Sequence, residues 1–240
     1  MGQPSISKLD FSKSGYFFIG LFVLAILGFW PSYFAKFFDG TAYFTNYFHF
    51  HSITASLWIV LLIIQPILIH KGDIQLHKQL GLLSYILIPL IYISVILLAH
   101  HRITGEESNL GVSLWITFKD LFILTIAYGI GIYYRRVQSI HARGMIGAGI
   151  VLIEPALVRF IQYALFPGQD FAPAGYLATI ITVYLILIIL TVTSWKHQRG
   201  RWVFPIILAA YVFVHSVLIF EIRIEIWEHF VKWFANLPLT

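Results

Sequence analysis

No cysteine occurs anywhere in the 240 residues, which excludes disulfides, thiolate metal ligands and thiol chemistry. Any transition metal must then be held by imidazole, by carboxylate or within a prosthetic group. Charge is scarce as well. Asp, Glu, Lys and Arg make up 11% of the chain, less than half the ~25% of an ordinary soluble domain. No glycine-rich loop of the phosphate-cradling kind is present, no long linker and no stretch of low complexity.

What remains is apolar: 59% hydrophobic residues and a mean hydropathy of +0.81. Runs of about 20 apolar residues recur, each long enough to cross a ~30 Å hydrocarbon core as a helix. The pattern predicts an all-α polytopic membrane protein, one domain over 1–240. It is a seven-helix bundle with spans at roughly 15–32, 49–70, 80–100, 111–134, 145–166, 175–195 and 203–221. The connections carry breakers: Lys71-Gly72-Asp73, Thr104-Gly105, Pro167-Gly168 and Arg199-Gly200-Arg201. Lys8 and Lys13 precede an apolar run with no small-residue cleavage site after it, so this run reads as the first span and not as a cleaved leader.

The net charge of +5 does not point to nucleic acid, because the bases sit in short loops. Lys8, Lys13, Lys71, Lys78, Arg135, Arg136, Arg143, Lys196, Arg199 and Arg201 fall on one side. Lys36, Arg102, Arg223 and Lys232 fall on the other, and Lys119 and Arg159 within spans. The positive-inside rule then places the N-terminus in the cytoplasm and the C-terminus outside. Residues 29–50 are crowded with aromatics beside a span end, as in an interfacial belt or a lid. After span seven, Ile226, Trp227, Phe230, Val231 and Phe234 recur at three- and four-residue spacing, which predicts an amphipathic interfacial helix.

Ten histidines are many for such a chain. His49, His51, His100, His101, His215 and His229 fall on the outer half; His70, His77, His141 and His197 lie at the inner boundary. His49-Phe50-His51 opens span two and His100-His101 closes span three, so two pairs on neighbouring helices are candidate ligands for iron, copper or zinc, with His215 a further one. His51, Trp58 and Gln65 are seven apart and share one helix face. Asp120 and Glu154 fall near the midplane with Lys119 and Arg159 beside them. Such groups face the bundle interior, as an ion-pair clamp, as orienters of ligand histidines or as a proton path. His77 and His141 begin spans three and five at one depth, either in the headgroup layer or as a shared site for a haem. A faint repeat accompanies them: Ala55-Ser56-Leu57-Trp58 and Val112-Ser113-Leu114-Trp115 each open a hairpin that runs on to one of these histidines, as in a parallel duplication.

The set Tyr33, His49-Phe50-His51-Ser52, Trp58, Gln65, Leu68 and His77-Lys78-Gln79-Leu80-Gly81, followed by Asp120, Arg135-Arg136, His141-Ala142-Arg143-Gly144-Met145, Pro155 and Arg159, resembles a widespread family of uncharacterised bacterial multi-pass proteins. Its pattern is HxH-Gly, a tryptophan, a glutamine, then His-Arg-x-Leu-Gly. The likeness covers 33–160, about half the chain. Ser52 stands where the pattern has glycine, and Gly144 where leucine is more usual. The resemblance implies a bacterial inner membrane location and singles out His49, His51, His77, Asp120, His141 and Arg159. It implies no reaction.

These features predict a redox-linked membrane metalloprotein. The metal sits near the outer face on His49, His51, His100, His101 and His215, with Asp120, Glu154 and Arg159 orienting ligands or moving protons. Its partners are membrane lipids and a lipophilic small substrate. The alternatives are a cofactor-free proton-coupled carrier or channel built on Asp120, Glu154, Arg159 and His215, a bis-histidine haem b protein using His77 and His141, and a non-catalytic subunit.

Overall fold

The first apolar run folds into α1 (Ser14–Phe29), which loosens through a π turn, Trp30–Phe34, and a 3-10 turn, Ala35–Phe37. A computed structural model describes residues 13–103, 110–169, 172–196 and 198–240; Lys8, Thr104, Gly105 and His197 lie outside them. Then follow α2 (Asn46–His70), α3 (Ile74–Gly81), α4 (Ser84–His101), α5 (Leu110–Tyr133), α6 (Gln138–Ile150), α7 (Ile153–Leu165), α8 (Pro173–Ser194), α9 (Val203–Ile219) and α10 (Glu225–Ala235). No strand occurs among the described residues. Six helical stretches are long and apolar enough to cross a membrane, and α9 is a shorter apolar helix of 17 residues. At 1.5 Å per residue α9 is ~25 Å long, the lower end of what a span needs. The chain is a polytopic helical membrane protein. Leu177, Ile181, Leu185, Ile189 and Val192 of α8 are exposed, an outward apolar face suited to lipid.

Spans three and five begin earlier than the sequence suggests and are each broken. Helix resumes at Ile74 directly after Gly72, because the Asp73 carboxylate accepts a hydrogen bond from the Leu76 amide (3.0 Å) and caps α3. Asp73→Ala is expected to lower stability by about 1 kcal/mol, read as a lower unfolding midpoint in detergent. The second break, between α6 and α7, has its cause at Pro155. That residue has no N–H to offer the carbonyl of Val151, four residues back, so the ladder stops at Val151 and restarts at Ile153.

Helix α1 packs on α2 and α7, α2 on α4, α5 on α6 and α9, and α8 on α7 and α9. Helix α6 sits in the middle of this ring because its glycines admit neighbours. A Cβ on Gly144 would meet Gly131 of α5, one on Gly147 would meet Ile207 of α9, and one on Gly149 would meet Phe18 of α1. The loops at 71–73, 134–137, 195–196 and 198–202 share one end of the bundle with Ser14 and hold Lys71, Arg135, Arg136, Lys196, Arg199 and Arg201; this is the basic end. At the opposite, aromatic end, Tyr33 gathers Phe34, Phe37, Phe44 and Phe48 at centroid distances of 4.9–5.2 Å. The turn after Phe38 is closed by Asp39, whose carboxyl is held below the usual carboxylate range by the Thr41 hydroxyl and then the Thr41 amide. Helix α10 folds back on α5 there, burying Val231 and Phe234 and setting Trp227 and Phe230 against Phe118.

Candidate functional site

Two places concentrate chemistry. The first is an ion network in the middle of the bundle. Lys119 of α5 donates from Nζ to Asp120 (2.8 Å) and to Glu154 Oε1 on α7 (2.6 Å). The second Glu154 oxygen meets His215 Nε2 of α9 at 3.2 Å, and His215 Nδ1 meets the Tyr184 hydroxyl of α8 at 3.2 Å. Lys119, Glu154 and His215 are 1%, 3% and 0% exposed. Tyr176 and Tyr211 close the ring around the imidazole, at 6.4 and 5.6 Å between centroids. The break before Ile153 places Glu154 in the first turn of α7, where the helix dipole favours an anion. One side-chain network thus joins α5, α7, α8 and α9, and it is the expected clamp with a different membership. Lys119 binds both acids, whereas Arg159 donates to its own-helix carbonyl of Pro155 (2.7 Å) and lies over the Phe29 ring at 4.5 Å.

The outer histidines are not brought together. His49 bonds to the Tyr33 hydroxyl (2.9 Å), His51 to Ser94 Oγ (3.2 Å) and His100 to Thr240 Oγ1 (2.7 Å), while His101 packs at a tilt against Tyr47. Among the described residues no group of three or more His, Asp or Glu is placed to hold a metal ion. The reason lies in the helix period. At ~100° per residue, His49 and His51 stand ~200° apart and His100 and His101 ~100° apart. Adjacency in sequence sends each to a different neighbour.

The second place is at the basic end. His77 and His141 are each the fourth residue of a helix, α3 and α6, and their rings face one another at 6.4 Å between centroids with planes 86° apart. They lie inside helices, because both helices start just before them. His141 Nδ1 bonds to the Gly131 carbonyl (2.8 Å). With that carbonyl as acceptor, Nδ1 carries the proton and Nε2 is left as the basic nitrogen. His77 Nδ1 is buried and has no hydrogen-bond partner among the described residues.

Both rings line a cavity of about 1820 Å³. Its walls are apolar, with Phe18, Leu61, Leu62, Met145 and Ile146. Its mouth carries Lys78, Arg135, Arg136, Lys196 and Arg199, and no Asp or Glu among the described residues lines it. Arg143, fully buried behind the mouth, donates to the carbonyls of Ser139 (2.8 Å) and Arg199 (3.1 Å) and so fixes the start of α6 to the loop before α9. Compared with protein-family models, with characterised proteins and with solved structures, the chain finds no match in any of the three.

The network on Lys119 was only half visible in the sequence. Asp120 and Glu154 stood out as intramembrane acids, but Tyr184 and Tyr211 look like any other aromatic in a span. Their role comes from packing around His215, which sequence spacing does not carry.

Proposed function

We propose that this chain is a bis-histidine haem b protein of the bacterial inner membrane that carries electrons. The basic end lies on the cytoplasmic side, as the bias of Lys and Arg favours. His77 and His141 would hold the haem iron, loosely as in transmembrane haem b cytochromes that share histidines across a helical core. One observation carries this reading: two imidazoles meet edge-on, 6.4 Å between centroids, and both line one large cavity. Two imidazoles on opposite sides of one metal atom, each with a bond of about 2 Å, have ring centres about 6–6.5 Å apart.

The surroundings fit the group. A haem is an apolar macrocycle with two carboxylates at one edge. The cavity offers apolar walls and an acid-free mouth, where Arg135, Arg136, Lys196 and Arg199 suit propionates. The His141 Nδ1 bond to a main-chain carbonyl is the usual support of a ligand histidine, fixing its tautomer and raising its basicity. When bound, haem would supply one-electron redox chemistry; the chain would supply two ligands, apolar walls and counter-charges. Iron, copper or zinc on the outer histidines lacks such support, since among the described residues those rings are not brought together as a group that could hold an ion.

The absorption spectrum of the purified protein tests the proposal. Expression with haem precursor is expected to yield a low-spin, six-coordinate spectrum with a Soret band and about one haem per chain. His77→Ala and His141→Ala lose it while eluting as folded protein, and His49→Ala and His101→Ala keep it. A folded wild-type chain without a Soret band would overturn the reading.

A further inference from the structure

A second recess, of about 390 Å³, opens at the basic end beside the large cavity. Its walls are Ile132, Tyr133, Arg135 and Arg136, at and just after the end of α5. Both arginines are exposed. Arg135 gives one of its five N–H groups to the Tyr85 hydroxyl of α4 (3.0 Å), which holds the guanidinium in place. No Asp or Glu among the described residues lines this recess or the cavity beside it. Of the cations at the shared mouth, Lys78, Arg135, Arg136, Lys196 and Arg199, the two carboxylates of a haem would offset only two. An outward face of α5 leads away from the recess. Phe122, Thr125, Gly129 and Tyr133 recur at three- and four-residue spacing and are all exposed. A Cβ on Gly129 would meet nothing within 4 Å. No close neighbour therefore requires glycine there, one of the poorest helix formers, and its missing side chain leaves a notch between Thr125 and Tyr133.

We infer that Arg135 and Arg136 bind the phosphodiester of an anionic phospholipid whose acyl chains lie along the Tyr133–Gly129 face of α5. The site stands on this recess and does not rest on the haem reading. A phosphodiester has two free oxygens that only accept, and a guanidinium meets such a pair with two parallel N–H donors. Tyr133, at the end of a span, suits the headgroup level, with its ring on the apolar side and its hydroxyl on the wet side. The recess is at the small end of ligand sites, ~300–1,000 Å³. It takes a head group, and the outward face of α5 takes the chains. Charge selects the head. Phosphatidylglycerol brings a net negative charge to cations that no described carboxylate offsets. Phosphatidylcholine brings the same phosphodiester but sets a quaternary ammonium among those cations. A soluble phosphate ester shares the phosphate chemistry, yet has nothing to lay against Tyr133 and Gly129.

Native mass spectrometry of the full-length, haem-free chain in detergent with equal amounts of phosphatidylglycerol and phosphatidylcholine tests the site. One phosphatidylglycerol is expected to be retained per chain in preference to phosphatidylcholine. Arg135→Gln and Arg136→Gln each weaken its binding about fivefold, and the double variant about 25-fold, as expected for the loss of one and of two basic contacts. Lys71→Gln removes the same charge at the same end but outside both recesses, and keeps wild-type affinity. A loss in Lys71→Gln as large as in either arginine variant would show diffuse attraction and overturn the site. Equal retention of phosphatidylcholine overturns the selection by charge. Displacement of phosphatidylglycerol by an equal concentration of glycerol 3-phosphate overturns the lipid in favour of a soluble ester. Because the chain carries no haem in this measurement, a missing Soret band in the haem-loaded preparation leaves the outcome for the lipid site unchanged.

Discussion

Replacing Lys119 with methionine is expected to destabilise the protein by about 3–5 kcal/mol, the range for breaking a buried ion pair by removing one partner. The side chain is 1% exposed and is bonded to two carboxylates at 2.6 and 2.8 Å. Without it, Glu154 and Asp120 lose the cation between them, while His215 stays bonded to Glu154. The loss is larger than that of a surface pair because Lys119 and Glu154 are 1% and 3% exposed and the stranded carboxylate stays buried. The double variant Lys119→Met, Glu154→Met is expected to be more stable than Lys119→Met alone, since it removes the stranded carboxylate together with its partner. Replacing both members of a buried pair by apolar groups is often near neutral. Asp120 is less enclosed, with its side chain 24% exposed. Unfolding midpoints in detergent for the two singles and the double give the coupling directly. Additive losses would show that Lys119 and Glu154 do not act as a pair.

The spans were legible because a membrane helix is written in length and hydropathy, which need no knowledge of the fold. The break inside span five was legible in principle at Pro155, and the early start of span three at Asp73. The early starts of spans three and five were masked by the neighbouring Gly72 and by the polar run 135–143, which read as loops. The outer histidines illustrate what proximity in sequence does not give. His49 and His51 are near neighbours in the chain, yet the helix turns them to Tyr33 and to Ser94. His77 and His141 are 64 positions apart by their numbers and share a cavity. What joined them on the page was the faint repeat. Each lies on the second arm of a Ser-Leu-Trp hairpin, and each is the fourth residue of its helix. Two similar hairpins side by side bring equivalent residues together, which short spacing rules do not capture. The partners of His215 had no such signal. Tyr184 and Tyr211 reach it only because α8 and α9 pack against each other.

Gly144 marks the point where packing and site depend on one residue, and Gly144→Leu is expected to abolish the histidine pair. A Cβ at Gly144 would stand 2.5 Å from the Gly131 nitrogen, 2.6 Å from its Cα and 2.9 Å from the Ala127 carbonyl oxygen. All three are main-chain atoms of α5, so no side chain can swing aside to make room. The helices must separate, and overpacking of this kind costs about 1–3 kcal/mol or more. The larger effect is local. His141 is three residues earlier in α6 and bonds to the carbonyl of Gly131, the same residue that Gly144 touches. Pushing α6 off α5 by even about 1 Å breaks that bond, because N···O contacts beyond about 3.5 Å are no longer hydrogen bonds. The ring then loses its fixed tautomer and its distance to His77. The expected readout is a chain that still elutes as a folded membrane protein but binds haem with a high-spin or absent Soret signature. Gly144→Ala falls between the two, and Gly129→Ala, on α5 where a Cβ meets nothing within 4 Å, leaves the spectrum unchanged. A wild-type spectrum in Gly144→Leu would mean that the α5–α6 contact does not position His141.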